Sequence, residues 1–147
     1  MATIQLPPDF KEFLKLLNSS RVEYLVIGGY AVNYHGFPRA TADLDVWISI
    51  DPKNAQRVAQ VLREFGFAQA EAETFLEPRK VVRMGVPQVR LEILTSVSGV
   101  EFADCYTRRV EADIDGIMVN FIHLDDLKRN KQACGRLKDR LDLEQLQ

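Results

Sequence analysis

Leu25-Val26-Ile27-Gly28-Gly29 and, after residues 30–42, Asp43-Leu44-Asp45 are the segments from which the architecture of this chain is most readily deduced. The apolar run predicts a short buried strand over residues 22–27, and the glycine pair ends it before a short helix at 30–35. Asp43 begins a second predicted strand, over residues 43–50, in which side chains alternate between two faces. The two aspartates therefore point the same way.

Paired carboxylates on one face of a strand predict a metal site. Adjacent carboxylates repel each other, and a cation relieves that repulsion. Mg²⁺ suits the task because it prefers oxygen ligands and keeps positions open for phosphate oxygens. Glu92 is the expected third ligand, since it alternates with apolar residues in 89–94, a strand that could lie beside Asp43 and Asp45. Three carboxylates on adjacent strands could hold two metal ions about 4 Å apart.

Each of these features also has a purely structural interpretation. Asp-x-Asp is common on solvated strands, and Glu92 could form an ion pair with Arg90. Gly28-Gly29 could expose backbone N–H groups to an anion at a helix N-terminus, or could simply form a tight strand-to-helix turn. Trp47 shares the carboxylate face and is expected to pack at the far end of a cleft rather than stack on a base.

The composition of the 147 residues, 46% hydrophobic and 27% charged, fits a single domain over residues 1–147. With a formal net charge of −2, no whole-protein field attracts nucleic acid or anionic lipid. We expect a cytoplasmic protein without membrane contact, since the chain shows neither a signal peptide nor a long apolar run. Cys105 and Cys134 are expected to pack as free thiols, and the separation of His35 from His123 argues against a zinc site.

The remaining periodicity predicts an α/β (α+β) fold, a short mixed β-sheet flanked by helices. No element is predicted for residues 67–78. The predicted elements are a helix capped by Asp9 and ending at 18–20, a helix from Pro52 to Gly66, strands at 80–84 and 88–95 joined by a turn at 85–87, a helix at 101–109, a strand at 117–122, and two helices within 124–146 divided near Gly135.

The combination of motifs resembles the signature of the polymerase-β-like nucleotidyltransferase superfamily. That signature is a Gly-Gly or Gly-Ser pair, a spacer of roughly a dozen residues, and Asp-x-Asp. Gly28-Gly29, the loop bearing Arg39 and Thr41, and Asp43-Leu44-Asp45 look most like a small prokaryotic branch, which includes abortive-infection-type nucleotidyltransferase toxins. Two departures are Gly29, where relatives often have Ser, and Glu92, where they usually have Asp.

The resemblance implies a polymerase-β palm-like fold and a Mg²⁺-dependent enzyme that moves a nucleoside monophosphate from a nucleoside triphosphate to an acceptor hydroxyl. Asp43, Asp45 and Glu92 would be the catalytic and metal-binding residues for two Mg²⁺ ions. The nucleotide would be bound by Gly28, Gly29, Arg39 and Lys131. His35 and Thr41 are expected to pack rather than bind ligand.

The tail adds a lysine at an unexpected position. Lys131 is in phase with the apolar face of its predicted helix, four residues after Leu127, so it could reach into the cleft. The resemblance implies that it contacts the triphosphate or orders the active site. The alternative is a snorkelling lysine among helical ion pairs, Arg136 with Asp139 and Lys138 with Asp142.

The acceptor is not specified by the sequence, and it could be a small molecule, RNA or a protein. One alternative function is a non-catalytic nucleotide-binding or partner-binding module. Another is a toxin component that modifies RNA ends, for which a basic groove formed by Lys128, Arg129, Lys131, Arg136, Lys138 and Arg140 would be needed. A homodimer or an antitoxin-like partner could complete an acceptor site in so short a chain.

Overall fold

The structure is a computed structural model that describes residues 4–36, 41–86 and 89–146. Its helices are α1 Pro8–Ser19, α2 Gly28–Tyr34, α3 Pro52–Glu64, α4 Phe102–Thr107, α5 Leu124–Cys134 and α6 Leu137–Gln145, with a 3-10 helix at Ala72–Leu76. Its strands are β1 Tyr24–Ile27, β2 Asp43–Ile48, β3 Val81–Val86, β4 Val89–Leu94, β5 Val110–Ile114 and β6 Ile117–Phe121.

Within these residues the six strands form one sheet in the order β3-β4-β2-β1-β6-β5. β2 runs antiparallel to β1 and parallel to β4, and β1 runs parallel to β6. The mixed sheet and its flanking helices confirm the predicted fold class. The β2–β4 register places Asp45 directly beside Glu92, so the two strands that carry the predicted metal ligands are neighbours.

Helices cover the sheet and also border the carboxylate face. α1 and α3 pack against each other, and the Phe13 ring of α1 meets Phe65 edge-on at a centroid distance of 5.4 Å. On β2, the buried Trp47 packs edge-on against Phe102 of α4, with centroids 5.1 Å apart. Trp47 has the same strand phase as Asp45, so α4 closes the carboxylate face beyond the aspartates. The expectation that Trp47 packs is confirmed.

Three local expectations were wrong. Asp9 does not cap α1: Pro7 is the N-cap and Pro8 begins the helix, since the missing N–H of proline costs nothing at that position. Strand β5 was not predicted, although Asp115-Gly116, with φ of 54° and 85°, is a recognisable hairpin turn. Cys134 is exposed rather than packed, whereas Cys105 is buried as expected.

A buried aspartate joins α4 to α5. The Asp126 side chain is fully buried and accepts hydrogen bonds from Nε and Nη2 of Arg108, at 3.0 and 2.9 Å, and from Nη1 of Arg129 at 2.7 Å. Burial raises the pKa of Asp126, but the hydrogen bonds and charge of Arg108 outweigh it, and the pKa lies below its usual value. Asp126 therefore stabilises the folded chain as a carboxylate.

Asp126→Asn is expected to lower the free energy of unfolding at pH 7 by about 2 kcal/mol, because a buried charge-assisted pair is lost while the arginines stay partly solvated. A lowered folded-state pKa gives stability that is present above the unfolded-state pKa and is lost as the pH falls through the folded-state value. The difference from wild type, measured by urea unfolding, should therefore shrink towards pH 3. The exposed neighbour Asp125, replaced by Asn, is the control; an equal loss in both variants would contradict the prediction.

Candidate active site

The sheet, α5 and α6 enclose a cleft of about 550 Å³ that collects the carboxylates predicted from the sequence. Asp43, Asp45 and Glu92 line it, together with Gly28 and Lys131. Gly29 is buried inside α2. Arg39 lies outside the described residues. Five of the seven predicted site residues therefore share one cavity.

Asp45 is the most perturbed acid of the cleft. Burial, then the negative charge of Glu92 and a hydrogen bond with it, then the charge of Asp43, raise the pKa of Asp45 to about 7, and the charge of Lys138 opposes them. Its Oδ1 atom is buried and has no hydrogen-bond partner within the described part of the chain. Such an orphaned oxygen is costly unless a ligand or ion satisfies it, and a perturbed acid in a cleft marks a candidate functional site.

Gly28 is required by the position of Asp45. Its φ is +67°, a conformation that side-chain-bearing residues rarely adopt. A β-carbon at Gly28 would overlap Asp45 Oδ2 and lie 3.3 Å from the Asp45 β-carbon. The glycine therefore lets the end of β1 pass directly beside the carboxylate, in addition to any role with phosphate.

Glu92 forms an ion pair, but its partner is Arg83 on β3 and not Arg90. Arg83 Nε lies 2.9 Å from Glu92 Oε1, and the two residues are directly opposite in the β3–β4 register. The alternative pairing with Arg90 is therefore wrong. Glu92 pairs with its neighbour on the adjacent strand instead, and local sequence does not give the register between strands. Arg83 also lines the cleft, a position that was not predicted from the sequence.

Lys131 lines the cleft, but its ammonium group points towards α6. Its side chain is 4% exposed, and Nζ lies 3.2 Å from Asp139 Oδ1 and 3.0 Å from Asp142 Oδ2. The predicted Arg136–Asp139 pair is present, with Nε 2.7 Å from Oδ2. Lys131 is therefore part of a buried charge cluster between α5 and α6.

Positive charge reaches the carboxylates from the start of α6. Arg136 and Lys138 line the cleft and are exposed. Hydrogen bonds to Asp139 chiefly raise the pKa of Arg136, and the charge of Asp45 adds to the effect. Both cations are thus within electrostatic range of Asp45. From the sequence they were assigned to helical ion pairs or to the basic groove of an RNA-modifying toxin, and not to the nucleotide site.

The donor set fits Mg²⁺ better than it fits a softer metal, since it consists of carboxylate oxygens and includes the orphaned Oδ1 of Asp45. Across residues 4–36, 41–86 and 89–146, however, no three acidic, histidine or cysteine side chains already converge as a metal cluster. Glu92 interacts with both Asp45 and Arg83, so its ion pair with Arg83 competes with a role as the third ligand.

The residues expected to pack do so. His35 Nε2 lies 2.7 Å from the carbonyl oxygen of Ile122, and the Thr41 hydroxyl donates to the Asp43 carbonyl at 3.3 Å.

The predicted basic groove does not present continuous positive charge, because Arg129, Lys131 and Arg136 are paired with buried aspartates. In the described residues, no helix is long and apolar enough to cross a membrane.

The chain matches one known protein family over nearly its whole length. A family described as "nucleotidyl transferase of unknown function (DUF2204)" matches residues 8–147. The chain belongs to this family. The predicted membership of a nucleotidyltransferase group is therefore confirmed. A comparison with curated proteins finds no match.

Solved nucleotidyltransferase structures share the fold of this DUF2204 member. TM1012 of Thermotoga maritima has a TM-score of 0.63 and 13% identity, over 96% of this chain and 94% of that one. The lincosamide antibiotic adenylyltransferase LnuA, bound to lincomycin, has a TM-score of 0.58 and 15% identity, over 96% of each chain. ANT(2")-Ia, in complex with adenylyl-2"-tobramycin, has a TM-score of 0.50 and 11% identity, over 93% of this chain and 94% of that one.

At these identities the likeness concerns the fold. Neither the family description nor these three structures names a toxin, so the relation to abortive-infection toxins stays a prediction.

Proposed function

We propose that this family member transfers a nucleoside monophosphate from a nucleoside triphosphate to an acceptor hydroxyl, releasing pyrophosphate. One observation carries the proposal: Asp43, Asp45 and Glu92 lie on the adjacent strands β2 and β4 and face the basic start of α6 across one cleft. Acids beside cations suit phosphoryl transfer, which depends on positioning and on charge neutralisation.

Each group has a role that its position supports. Asp43, Asp45 and Glu92 would hold Mg²⁺, which when bound neutralises the negative charge of the phosphates. Arg136 and Lys138 would donate to phosphate oxygens, and Gly28 would allow the backbone to approach them closely. By the resemblance alone, Gly29, which is buried inside α2, and Arg39 would also belong to the nucleotide site.

A small hydroxyl compound is the acceptor class that we favour. The cleft of about 550 Å³ lies within the range of small-molecule sites. Two proteins of the same fold, LnuA and ANT(2")-Ia, were crystallised with lincomycin and with adenylyl-2"-tobramycin, respectively, so this fold accommodates small acceptors.

The test is transfer of label from the four α-³²P nucleoside triphosphates to a panel of hydroxyl compounds, with and without Mg²⁺. Wild type should transfer label only with the metal, and Asp43→Asn should lower the rate by about 1,000-fold or more, because a metal ion supplies several kcal/mol of stabilisation. Asp125→Asn, which changes an exposed acid outside the cleft, should keep the wild-type rate. Full activity of Asp43→Asn would refute the mechanism.

A non-catalytic nucleotide-binding module is the second candidate. The Arg83–Glu92 ion pair favours it, because Arg83 engages the carboxylate expected as the third metal ligand. Titration calorimetry separates the two functions. Nucleotide binding without turnover across the whole panel, unchanged in Arg83→Ala, supports the module; transfer by wild type supports the enzyme.

A further inference from the structure

The attachment of α6 to the rest of the chain is unusual. Leu137 and Leu141 of α6 are 72% and 53% exposed, while Leu146, just after the helix, is buried. The buried side chains within α6 itself are those of Asp139 and Asp142. The helix therefore docks on α5 largely through polar groups, and Gly135, with a φ of 65°, makes the sharp turn between the two helices.

The contacts of this docking are centred on Lys131. Its Nζ is shared between one carboxylate oxygen of Asp139 and one of Asp142, and all three side chains are at most 4% exposed. Asp139 also accepts two hydrogen bonds from the Arg136 guanidinium and one from the Arg136 backbone N–H. Burial raises the pKa of Asp139, but Arg136 and Lys131 outweigh burial and lower it, so the cluster is charged.

Buried ion pairs of this kind contribute little net stability, because desolvation offsets their attraction. Their geometry is nevertheless demanding, and removal of one partner leaves an uncompensated charge. The cluster thus fixes the angle of α6 more than it holds the fold together. That angle matters for the site, because α6 brings Arg136 and Lys138 to the cleft that contains Asp45.

We propose that Lys131 is a positioning residue of the nucleotide site, which acts through Asp139 and Asp142 to hold α6 with Arg136 and Lys138 facing the carboxylates. The proposal rests on the proposed function and replaces a direct contact of Lys131 with phosphate. An ammonium already shared by two buried carboxylates would have to leave both to reach a phosphate oxygen.

The experiment compares two measurements over a series of full-length variants. Hydrogen exchange of residues 137–146 in the absence of ligand reports the docking of α6. Calorimetry with inorganic tripolyphosphate and Mg²⁺ reports the phosphate site independently of any base or acceptor. Lys131→Met should lose α6 protection while the sheet keeps its own, and should bind tripolyphosphate at least about tenfold more weakly, as expected when charge-assisted hydrogen bonds are lost.

Two further variants separate positioning from direct contact. Lys131→Arg preserves the charge and should keep α6 protected and affinity near wild type. Lys131→Met combined with Asp142→Leu removes the uncompensated carboxylate and leaves Asp139 with Arg136, so protection and affinity should both return. Arg140→Met, an exposed cation on the same helix, is the control for charge alone and should change neither.

Affinity should follow α6 protection throughout the series. Any variant with α6 fully protected but affinity lost, or with α6 unprotected but affinity kept, overturns the proposal, and so does full protection in Lys131→Met. Since neither measurement involves turnover, a failure of label transfer by wild type would refute the proposed function and leave the result for Lys131 to be judged separately.

Discussion

Asp45→Asn is expected to abolish nucleotidyl transfer and, at the same time, to make the metal-free protein more stable near neutral pH. The loss of activity, about 1,000-fold or more, follows from the change of a carboxylate whose Oδ1 has no hydrogen-bond partner among the residues that the structure describes. The gain in stability follows from the pKa of Asp45, which burial and the charge of Glu92 raise to about 7. An amide of the same shape has no charge to desolvate.

The sign of the pH dependence is opposite to that of a salt-bridged acid. Between pH of about 4 and 7 folded Asp45 retains a proton that the unfolded chain releases, so the stability of wild type falls as the pH rises through this range. The difference in stability between wild type and Asp45→Asn should therefore be largest above pH 7. Urea unfolding of both proteins without metal at pH 4 and pH 8 should show the curves together at the first pH and separated at the second.

Mg²⁺ provides the complementary measurement. The ion should stabilise wild type by mass action, and should stabilise Asp45→Asn much less. Asp125→Asn should follow wild type in both pH dependence and metal response. A variant at Asp45 that is less stable than wild type at pH 8, or that keeps its transfer rate, would show that this carboxylate is a structural acid.

Gly28→Ala is expected to cost about 3 kcal/mol in the free energy of unfolding and most of the activity. The positive φ alone costs about 1–2 kcal/mol for a residue with a β-carbon, and the overlap with Asp45 adds an overpacking cost of similar size. Because the atom that must move is a carboxylate of the site, we expect a fall in transfer rate of about 100-fold.

Gly116→Ala is the matched control, since Gly116 has a φ of +85° in the β5–β6 turn and nothing within 4 Å of an added β-carbon. It should lose about 1–2 kcal/mol and no activity. In a double-mutant cycle, Asp45→Ala should recover part of the stability cost of Gly28→Ala and none of that of Gly116→Ala. Equal costs at the two glycines would mean that only backbone strain, and not the proximity of Asp45, accounts for Gly28.

The strands that carry the site could be predicted from local sequence patterns. Val26 and Ile27 form an apolar run that a glycine interrupts, and the alternation after Asp43 admits one assignment of faces, because side chains on a strand repeat every two residues. The prediction that Asp45 and Glu92 lie on neighbouring strands is confirmed, and the two side chains share one face of the sheet. The β5–β6 hairpin, which was not predicted, also has a local signal, because Asp115-Gly116 is a typical two-residue hairpin turn.

Local sequence was enough to predict the nucleotidyltransferase group and the strand phase of Asp43, Asp45 and Glu92, because both depend on residues close together in the chain. The close approach of Gly28 to Asp45 came only from the pairing of β1 with β2. The partner of each charged side chain in the site became clear only from the tertiary structure. It paired Glu92 with Arg83 through strand register, and it turned Lys131 from the cleft to Asp139 and Asp142. Electrostatic pairing depends on distances of a few ångströms between segments far apart in the chain, and no local pattern specifies those distances.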